Sequence, residues 1–265
     1  MDSYGVTKIE RTPCIENLMD SQVKPGEKVP TPVDPKTYAS IVMALYYAAI
    51  RVRPDILLTV NFLSTRTQVA TTKDLKAAYR VLKYLNGTRE VGIVLKPSGL
   101  IPHFYIDASY TIHDDGRSQS GCLFTLGGAE PALGSDGPIT CWTGAQKFIT
   151  ISSTEAEMSA VFQMHQWFEF YRLFLKDLRL SVDKPILVLQ DNDAAMLNFN
   201  KGFRGRTRPL NMRYHYIREL VQRNMIKLVR VGTKDMLADP LTKPFYSVTS
   251  HLPLLKQMMN DPSFR

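Results

Sequence analysis

The sequence contains little cysteine and no arrangement of cysteines that would hold a fold together. Its three cysteines, Cys14, Cys122 and Cys141, are odd in number and widely spaced among 265 residues. This spacing argues against a disulfide framework and favours an intracellular, reducing compartment. No CxxC pair and no cluster of cysteine with histidine occurs, so the sequence does not predict a structural zinc site.

Long apolar runs are also missing. No stretch approaches the roughly 20 apolar residues that a membrane helix requires, and the opening MDSYGVTKIERTP lacks the apolar core of a secretory signal. We therefore expect no membrane segment. Acidic residues are outnumbered, with 25 Asp and Glu against 33 Lys and Arg, which gives a net charge of +8. Such an excess suits a polyanionic partner such as nucleic acid.

The residue pattern divides the chain into four parts. Residues 1–35 are rich in Pro, Lys and short polar residues, which predicts an extended lead. Residues 36–88 predict a helical module of three helices, because apolar residues recur at helical spacing and Arg53-Pro54 interrupts them. Residues 89–245 predict an α/β domain, and residues 246–265 a C-terminal tail.

The hydrophobic period changes from helical to alternating at the start of the α/β domain. Five segments predict strands without intervening helices, and hence an antiparallel meander: EVGIVLK, HFYIDASY, SGCLFTLGG, PITCWTG and KFITIS. The pattern then predicts a long helix over 154–178, a strand over 186–190, a short helix, a helix over 211–224, a strand over 225–231 and a helix over 235–243. This order predicts an α/β fold in which helices flank a sheet.

Four acids stand at places from which side chains can converge. They are Asp107 within a strand, Glu155 at a helix start, Asp191 after a strand and Asp239 before a proline. Carboxylates that face one another repel unless a cation lies between them, and Mg²⁺ accepts such oxygen ligands. The first hypothesis is therefore a magnesium site that supports phosphodiester hydrolysis.

Each acid also has a structural explanation. Ser152 and Glu155 have the spacing of a capping box, in which the glutamate only closes a helix end. Glu157 is expected to be a solvated helix residue, and Asp191 and Asp239 would also serve as caps or surface acids. Asp107 differs, because a carboxylate in a central strand is costly to bury unless it is paired or bound to metal. The functional interpretation depends on all four acids occurring in this order.

Several ordered blocks resemble the ribonuclease H domain of copia-type (Ty1/copia) retrotransposon polyproteins. They are YIDASY, GRSQSGCLFTLGG, ITCWTGAQKFITISSTEAEMSA, LVLQDNDAA, RYHYIRELV and IKLVRVGTKDMLADPLTK. The helical part, with YASIVMALYYAAIRVRPDILLTVNFLS, resembles the thumb-like and connecting segment between the polymerase palm and that domain. The resemblance covers residues 10–245 and rests on many blocks rather than on one short motif.

The resemblance implies a ribonuclease H fold, with a mixed five-stranded sheet flanked by helices, and cleavage of the RNA strand of RNA–DNA hybrids. The family's four metal-binding acids correspond to Asp107, Glu155, Asp191 and Asp239. They would bind two Mg²⁺ ions, or Mn²⁺, about 4 Å apart at the scissile phosphate. Asp107 would bridge the ions, Glu155 and Asp191 would hold the ion near the leaving group, and Asp239 would hold the other.

The sequence departs from the family pattern in places. The usual D-A-D-W reads Asp107-Ala108-Ser109-Tyr110, and the usual R-T-K-H-I reads Arg206-Thr207-Arg208-Pro209-Leu210, without its histidine. The missing histidine affects the expected substrate handling or packing more than the expected metal binding. No Y-x-D-D polymerase signature occurs in the sequence, so we do not expect this chain to polymerise nucleic acid.

A basic stretch predicts contact with nucleic acid. Residues 201–218 contain no acid and six basic side chains: Lys201, Arg204, Arg206, Arg208, Arg213 and Arg218. Phosphate contacts by such residues give an affinity that falls with salt and reads little sequence. The other interpretation of this stretch is a solvated basic loop and the exposed face of a helix.

Two other functions fit the same sequence. The chain would also suit a domesticated retroelement fragment that serves as a structural or RNA-binding subunit of a larger protein or ribonucleoprotein assembly. A general metal nuclease related to integrases would share the fold but would not show the ADPLTK block. The four acids favour the ribonuclease, because a purely structural protein has no physical need for mutually repelling carboxylates.

Overall fold

The computed structural model describes residues 7–19, 30–130, 136–180, 183–201 and 208–263. Within these residues the strands are Ile101–Ser109 (β1), Gln119–Gly127 (β2), Thr140–Ala145 (β3), Ile186–Gln190 (β4) and Ile226–Arg230 (β5). The α-helices are Pro35–Arg51 (α1), Leu57–Thr65 (α2), Thr72–Gly87 (α3), Ser153–Gln163 (α4), His165–Asp177 (α5), Asp193–Lys201 (α6), Arg208–Gln222 (α7) and Val248–Met259 (α8). Short 3₁₀ turns lie at Pro54–Ile56, Thr67–Val69, Thr233–Asp235 and Asp239–Leu241.

The five strands form one mixed sheet in the order β3-β2-β1-β4-β5. Strands β1, β2 and β3 are antiparallel neighbours, as predicted, whereas β4 is parallel to β1 and β5 is parallel to β4. The carboxyl ends of β1, β4 and β5 therefore meet at one end of the sheet, which we call the carboxyl end; the opposite end is the amino end. With helices on both faces, this architecture confirms the predicted ribonuclease H-like fold class.

One face of the sheet packs against the helical module and the C-terminal helix. A continuous buried cluster joins Tyr105 of β1, Val60 of α2 and Met258 of α8. The boundaries predicted at residues 88 and 245 therefore do not separate two hydrophobic cores. The segment predicted to be a tail forms helix α8, whose apolar side chains find partners on the module and the sheet.

Helices α4 to α7 supply the core on the other face. Phe104 of β1 lies edge-on to Phe168 of α5, with ring centroids 4.8 Å apart, and Ile217 of α7 is buried in the same cluster. Aromatic pairs of this kind add to the free energy gained by burying apolar surface. Helix α4 packs directly on β1 in this core, so the packing sets which side of α4 meets the sheet.

Two predicted strands do not form. Residues 90–96 run as a connection, and the Val94 N–H donates to the carbonyl of Met259 at the end of α8 (3.0 Å). Residues 147–152 form the loop into α4, where the hydroxyls of Thr150 and Ser118 are hydrogen-bonded (2.9 Å). Val91 and Ile93 of the first segment pack on the core next to the helical module, whereas Ile149 and Ile151 of the second are exposed, and neither segment joins a strand ladder.

Two predicted helices are divided. The helix predicted over 154–178 consists of α4 and α5, separated at Met164, and the helix predicted over 235–243 is replaced by two 3₁₀ turns.

Part of the predicted lead packs on the rest of the fold, where the buried Cys14 thiol donates a hydrogen bond to the Phe245 carbonyl (3.1 Å). Residues 1–6 and 20–29 lie outside the described residues. In the described part of the chain, no helix is long and apolar enough to span a membrane.

Candidate functional site

Three carboxylates converge at the carboxyl end of the sheet. Asp107 lies near the end of β1, Asp191 directly follows β4, and Glu157 lies in the second turn of α4. One oxygen of each lies within 4.8 Å of the others. Parallel neighbouring strands bring the two aspartates to the same edge, where ligand sites of α/β sheets often lie, and α4 adds the third acid because it packs on β1.

Glu155 lies outside this cluster, which corrects the ligand set predicted from the sequence. Its carboxylate accepts a hydrogen bond from the Ile151 N–H (2.8 Å), and its own N–H donates to Ser152 Oγ (3.2 Å). Glu155 therefore closes the start of α4, as the capping interpretation predicts. Residues two apart in a helix point about 200° apart around its axis, so Glu155 and Glu157 cannot face the same point.

Glu157 is buried, with 6% of its surface exposed, and the expectation that it would be solvated was wrong. The residues after it, from Met158 to Val161, are apolar or small and are themselves buried. A helix that is apolar on every side is a buried helix. That composition was the signal in the sequence that a charged side chain at position 157 would need a special partner.

Asp239 lies beside the cluster without being one of the three converging carboxylates found among the described residues. It forms an ion pair with Lys243. The hydroxyl of Thr242, from the same segment, donates a hydrogen bond to Asp107 Oδ2, a contact that the sequence did not predict. Gly121 of β2, opposite Asp107, permits this approach, because a Cβ at Gly121 would lie 2.7 Å from Thr242 Cγ2.

Burial and nearby negative charges raise the pKa values of two of these acids, Asp107 and Glu157. Burial raises the pKa of Asp107 from 3.8 to about 6, against the opposing charge of Lys243. Burial also raises the pKa of Glu157 well above its usual value, and the charges of Asp107 and Asp191 add to that rise. A divalent cation would remove this repulsion, and a set of carboxylate oxygens is the donor set that Mg²⁺ or Mn²⁺ accepts.

Lys243 supplies a positive charge next to the acids. Burial lowers the pKa of its ammonium group, but the charges of Asp107 and Asp239 raise the pKa by more, so the net change is upward. The ammonium group is therefore charged at neutral pH. It offsets part of the repulsion among the acids in the absence of a metal ion.

The predicted nucleic-acid surface is described only in part. Arg204 and Arg206 lie outside the described residues, as do the side chains of Lys201 and Arg208.

The remaining two basic residues lie on α7. Arg213 is exposed, and its guanidinium lies over the ring of Phe148, 4.4 Å from the centroid. Phe148 belongs to the loop that leads into α4, so Arg213 joins α7 to the helix that carries Glu157. Arg218 is half-buried. A cation held over an aromatic ring keeps its charge available at a defined place.

The cavity of about 720 Å³ found among the described residues lies at the amino end, away from the carboxylates. Apolar and basic residues contribute most of its wall: Leu100, Ile101, Pro102, Leu175, Ile186, Met225, Arg172, Lys184 and Arg223. Asp183 and Asn224 complete the wall. The two ends of the sheet therefore carry side chains of different charge.

Comparison with known proteins places the chain among mobile-element proteins. No protein-family model matches the sequence. It is 36% identical over 214 residues to the retrovirus-related Pol polyprotein from transposon RE1 of Arabidopsis thaliana, which covers 80% of this chain and 14% of that polyprotein. It is 35% identical over 226 residues to the Pol polyprotein from transposon RE2 of the same organism, covering 84% and 15%. The chain spans only this small share of the length of these two polyproteins.

A solved structure titled LC11-RNase H1 in complex with RNA/DNA hybrid is 14% identical to the chain, with a TM-score of 0.38, over 53% of this chain and 92% of that one. So distant a likeness carries no argument about chemistry, and the fold class follows from the order and direction of the strands. The long matches to the transposon proteins confirm the resemblance for most of the chain. The chain belongs to the family of copia-type retrotransposon Pol polyproteins.

Proposed function

We propose that this protein is a metal-dependent endonuclease that hydrolyses the RNA strand of RNA–DNA hybrids. The observation that carries the proposal is the convergence of Asp107, Glu157 and Asp191 at the carboxyl end of the sheet. Membership of a retrotransposon Pol family and the ribonuclease H-like sheet support it. The sequence has no polymerase signature, so the proposal is confined to hydrolysis.

Asp107, Glu157 and Asp191, with Asp239 beside them, are the residues that would hold two Mg²⁺ or Mn²⁺ ions. When bound in pairs, such ions lower the pKa of an attacking water and stabilise charge on the leaving oxygen. The chain itself keeps the donor oxygens in place. The Thr242 hydroxyl orients the Asp107 carboxylate, and Glu155 closes the start of the helix that carries Glu157.

Contacts to the substrate are proposed for two basic residues of α7, the exposed Arg213 and the half-buried Arg218. Arg213 lies over Phe148, so its charge is held on the side of α7 that meets the loop into α4. A guanidinium in this position suits a backbone phosphate. A hybrid would be distinguished from other duplexes by its groove shape and by the 2′-hydroxyls of the RNA strand. The four other residues of the basic stretch, Lys201, Arg204, Arg206 and Arg208, are proposed to contribute in the same way.

The experiment compares cleavage of a labelled RNA–DNA hybrid with cleavage of single-stranded RNA, duplex RNA and duplex DNA, in Mg²⁺ and in chelator. We expect cleavage of the RNA strand of the hybrid alone, in Mg²⁺ or Mn²⁺, with products that carry a 5′ phosphate and a 3′ hydroxyl. Asp107→Asn should bind the hybrid without cutting it, and Glu155→Gln should cut it.

A folded wild-type protein that binds the hybrid and leaves it intact in both metals would contradict the proposal. That result would favour the nucleic-acid-binding subunit of a larger assembly. Cleavage of every duplex alike would favour a general metal nuclease.

A further inference from the structure

Three buried glutamines lie at the carboxyl end of the sheet, next to the acids. Gln119 opens β2, Gln146 follows β3 and Gln190 ends β4, and at most 1% of each is exposed. A buried primary amide is unfavourable unless its donors and acceptors are hydrogen-bonded. Gln190 and Gln146 bond directly to segments that carry the acids, and Gln119 reaches such a segment through Thr143.

Gln190 connects two of the three converging carboxylates. Its Oε1 accepts hydrogen bonds from the backbone N–H groups of Asp191 (2.8 Å) and Asn192 (3.1 Å). Its Nε2 donates to Glu157 Oε2 (3.2 Å). One amide therefore holds the chain at Asp191 and orients the side chain of Glu157 from a different element. A side chain that bonds to both segments needs an acceptor for the backbone N–H groups and a donor for the carboxylate, and a primary amide has one of each.

Gln146 ties α4 to β2. Its Nε2 donates to Ser120 Oγ (2.9 Å) and to the carbonyl of Ala156 (2.8 Å), the residue before Glu157. Its Oε1 is buried without a partner among the described residues, which is unfavourable. An apolar residue at position 146 would avoid that cost but would lose both bonds. The position of Glu157 thus depends on the Gln146 amide, although the buried oxygen of that amide is energetically unfavourable.

Gln119 reaches the segment of Asp239 through an intermediary. Its Nε2 donates to Thr143 Oγ1 (2.6 Å), and Thr143 Oγ1 donates to the carbonyl of Leu241. His113 Nε2 lies 2.7 Å from Gln119 Oε1 and completes the amide's bonding. Thr242, next to Leu241, is the residue that donates to Asp107.

We propose that Gln190, Gln146 and Gln119 are positioning residues that hold the acid-bearing segments together before a metal ion arrives. The carboxylates repel one another, so other contacts must hold the segments that carry them close together. A neutral amide does so without adding charge. An arginine or lysine in its place would compete with the metal ion, and a carboxylate would increase the repulsion. This inference rests on the proposed function, since it assigns supports to the same site.

Gln190 is expected to matter most, because it alone touches both Asp191 and Glu157. Gln190→Met keeps the volume and removes the amide. Loss of a partner that orients a metal ligand typically costs about 10–100-fold in metal affinity or activity. We expect kcat on the hybrid to fall by that factor and the half-saturating Mg²⁺ concentration to rise, with KM for the hybrid within about twofold of the wild type.

The matched control is Gln163→Met. Gln163 ends the same helix α4 and has a buried side-chain oxygen, but that oxygen has no partner among the described residues. Its substitution should leave the Mg²⁺ dependence unchanged. Thermal melting in chelator shows whether each variant is folded. If Gln190→Met does not fold, Gln119→Met, which acts through Thr143 instead, is measured in its place.

Mg²⁺ binding is also measured without substrate, as the Mg²⁺-dependent rise in melting temperature, so that the inference does not depend on cleavage. Weaker Mg²⁺ binding in Gln190→Met with wild-type binding in Gln163→Met supports the inference, even if the wild-type protein cleaves nothing and the proposed function fails. Equal Mg²⁺ binding and equal kcat in Gln190→Met and the wild type would overturn it. So would a parallel loss in Gln190→Met and Gln163→Met, which indicates a general loss of packing.

Discussion

The two ends of the sheet differ in charge, although the same two hydrophobic cores cover its faces from one end to the other. At the carboxyl end, Asp107, Glu157 and Asp191 crowd together. At the amino end, Arg172, Lys184 and Arg223 line an open cavity together with apolar residues. Charged groups therefore occur at both ends, but the acids of the carboxyl end lie within reach of one another, as the ligands of a single cation must.

The directions of the helices explain part of this difference. Helices α4 and α6 begin at the carboxyl end, next to Glu157 and Asp191, whereas α5 and α7 end where β4 and β5 begin. The start of a helix carries a partial positive charge and its end a partial negative charge. The carboxyl end therefore favours acids and the amino end favours bases. Five predictions test whether function is confined to the carboxyl end, and they follow in order of decreasing effect.

The largest effect is expected for Asp191→Asn. Removing a charged ligand from the cluster removes several kcal/mol of transition-state stabilisation, which corresponds to a loss of about a thousandfold or more in kcat. The measurement is cleavage of the hybrid at saturating substrate. Asp193→Asn, two residues away and paired with Arg230, is the control and should retain nearly full activity. Comparable losses in both variants would show that the cluster is not the site.

A sharper comparison lies within α4. Glu157→Gln should lose cleavage by about a hundredfold or more, because it removes a carboxylate of the cluster. Glu155→Gln should keep cleavage within about threefold and lose about 1 kcal/mol of stability, because it weakens the cap at Ile151. Cleavage assays and thermal melting separate the two roles. The opposite result, in which only Glu155→Gln is inactive, would restore the ligand set expected from the sequence.

At the carboxyl end, the Asp107 carboxyl group should make the metal-free protein less stable as pH rises. Burial raises the pKa of folded Asp107 to about 6, above its usual 3.8, so the folded state binds more protons between these values. Stability from this group is therefore present at low pH and is lost as pH rises through that window.

In chelator at pH 7.5, Asp107→Asn should accordingly melt a few degrees above the wild type. At pH 4 the difference should shrink, and with Mg²⁺ present the wild type should gain stability that the variant does not. Glu169→Gln, on the exposed face of α5, is the control and should show none of these changes. A variant less stable than the wild type at every pH would mean that the carboxylates do not repel as described.

The amino end should show the opposite dependence on pH. His103 of β1 is buried, and burial lowers its pKa below the usual 6.5, although its bond to the Gly128 carbonyl and the charge of Asp136 oppose the shift. The unfolded chain then binds more protons, so stability falls as pH drops below about 6.5. His103→Gln should reduce the fall in melting temperature between pH 7 and pH 5. An unchanged slope in that variant would assign the acid lability to other groups.

The smallest effects concern surface charges. Arg213→Gln should weaken hybrid binding by roughly two- to fivefold and lower the salt dependence by about one ion. Lys184→Gln, at the cavity of the amino end, should change neither binding nor cleavage. Titrations of labelled hybrid at two salt concentrations measure both. An effect of Lys184→Gln as large as that of Arg213→Gln would mean that nucleic acid also reaches the amino end.

Local patterns predicted much of this structure correctly. The alternation around Phe104 and Ile106 predicted β1, and the apolar run before Asp191 predicted β4, because residues buried within a sheet leave a simple record in the sequence. The same alternation failed for residues 90–96. Whether Val94 bonds to a neighbouring strand or to Met259 of α8 depends on a partner more than 160 residues away.

Two of the three converging acids, Asp107 and Asp191, were among the ligands predicted from the sequence, because one lies within a predicted strand and the other directly follows one. Thr242 and Gln190 gave no local signal, since a threonine or a glutamine becomes a partner of a carboxylate only when another segment is placed against it.

The sequence by itself determined the segments that form the five strands, the family, and the presence of several acids near the ends of strands. The tertiary structure alone decided which glutamate of α4 faces the cluster and that the last helix completes the core under the sheet. The reason is that a helix of this kind is apolar or small all round, so its pattern does not specify its rotation. The packing of α4 on β1 sets that rotation, turns Glu157 toward Asp107 and leaves Glu155 at the cap.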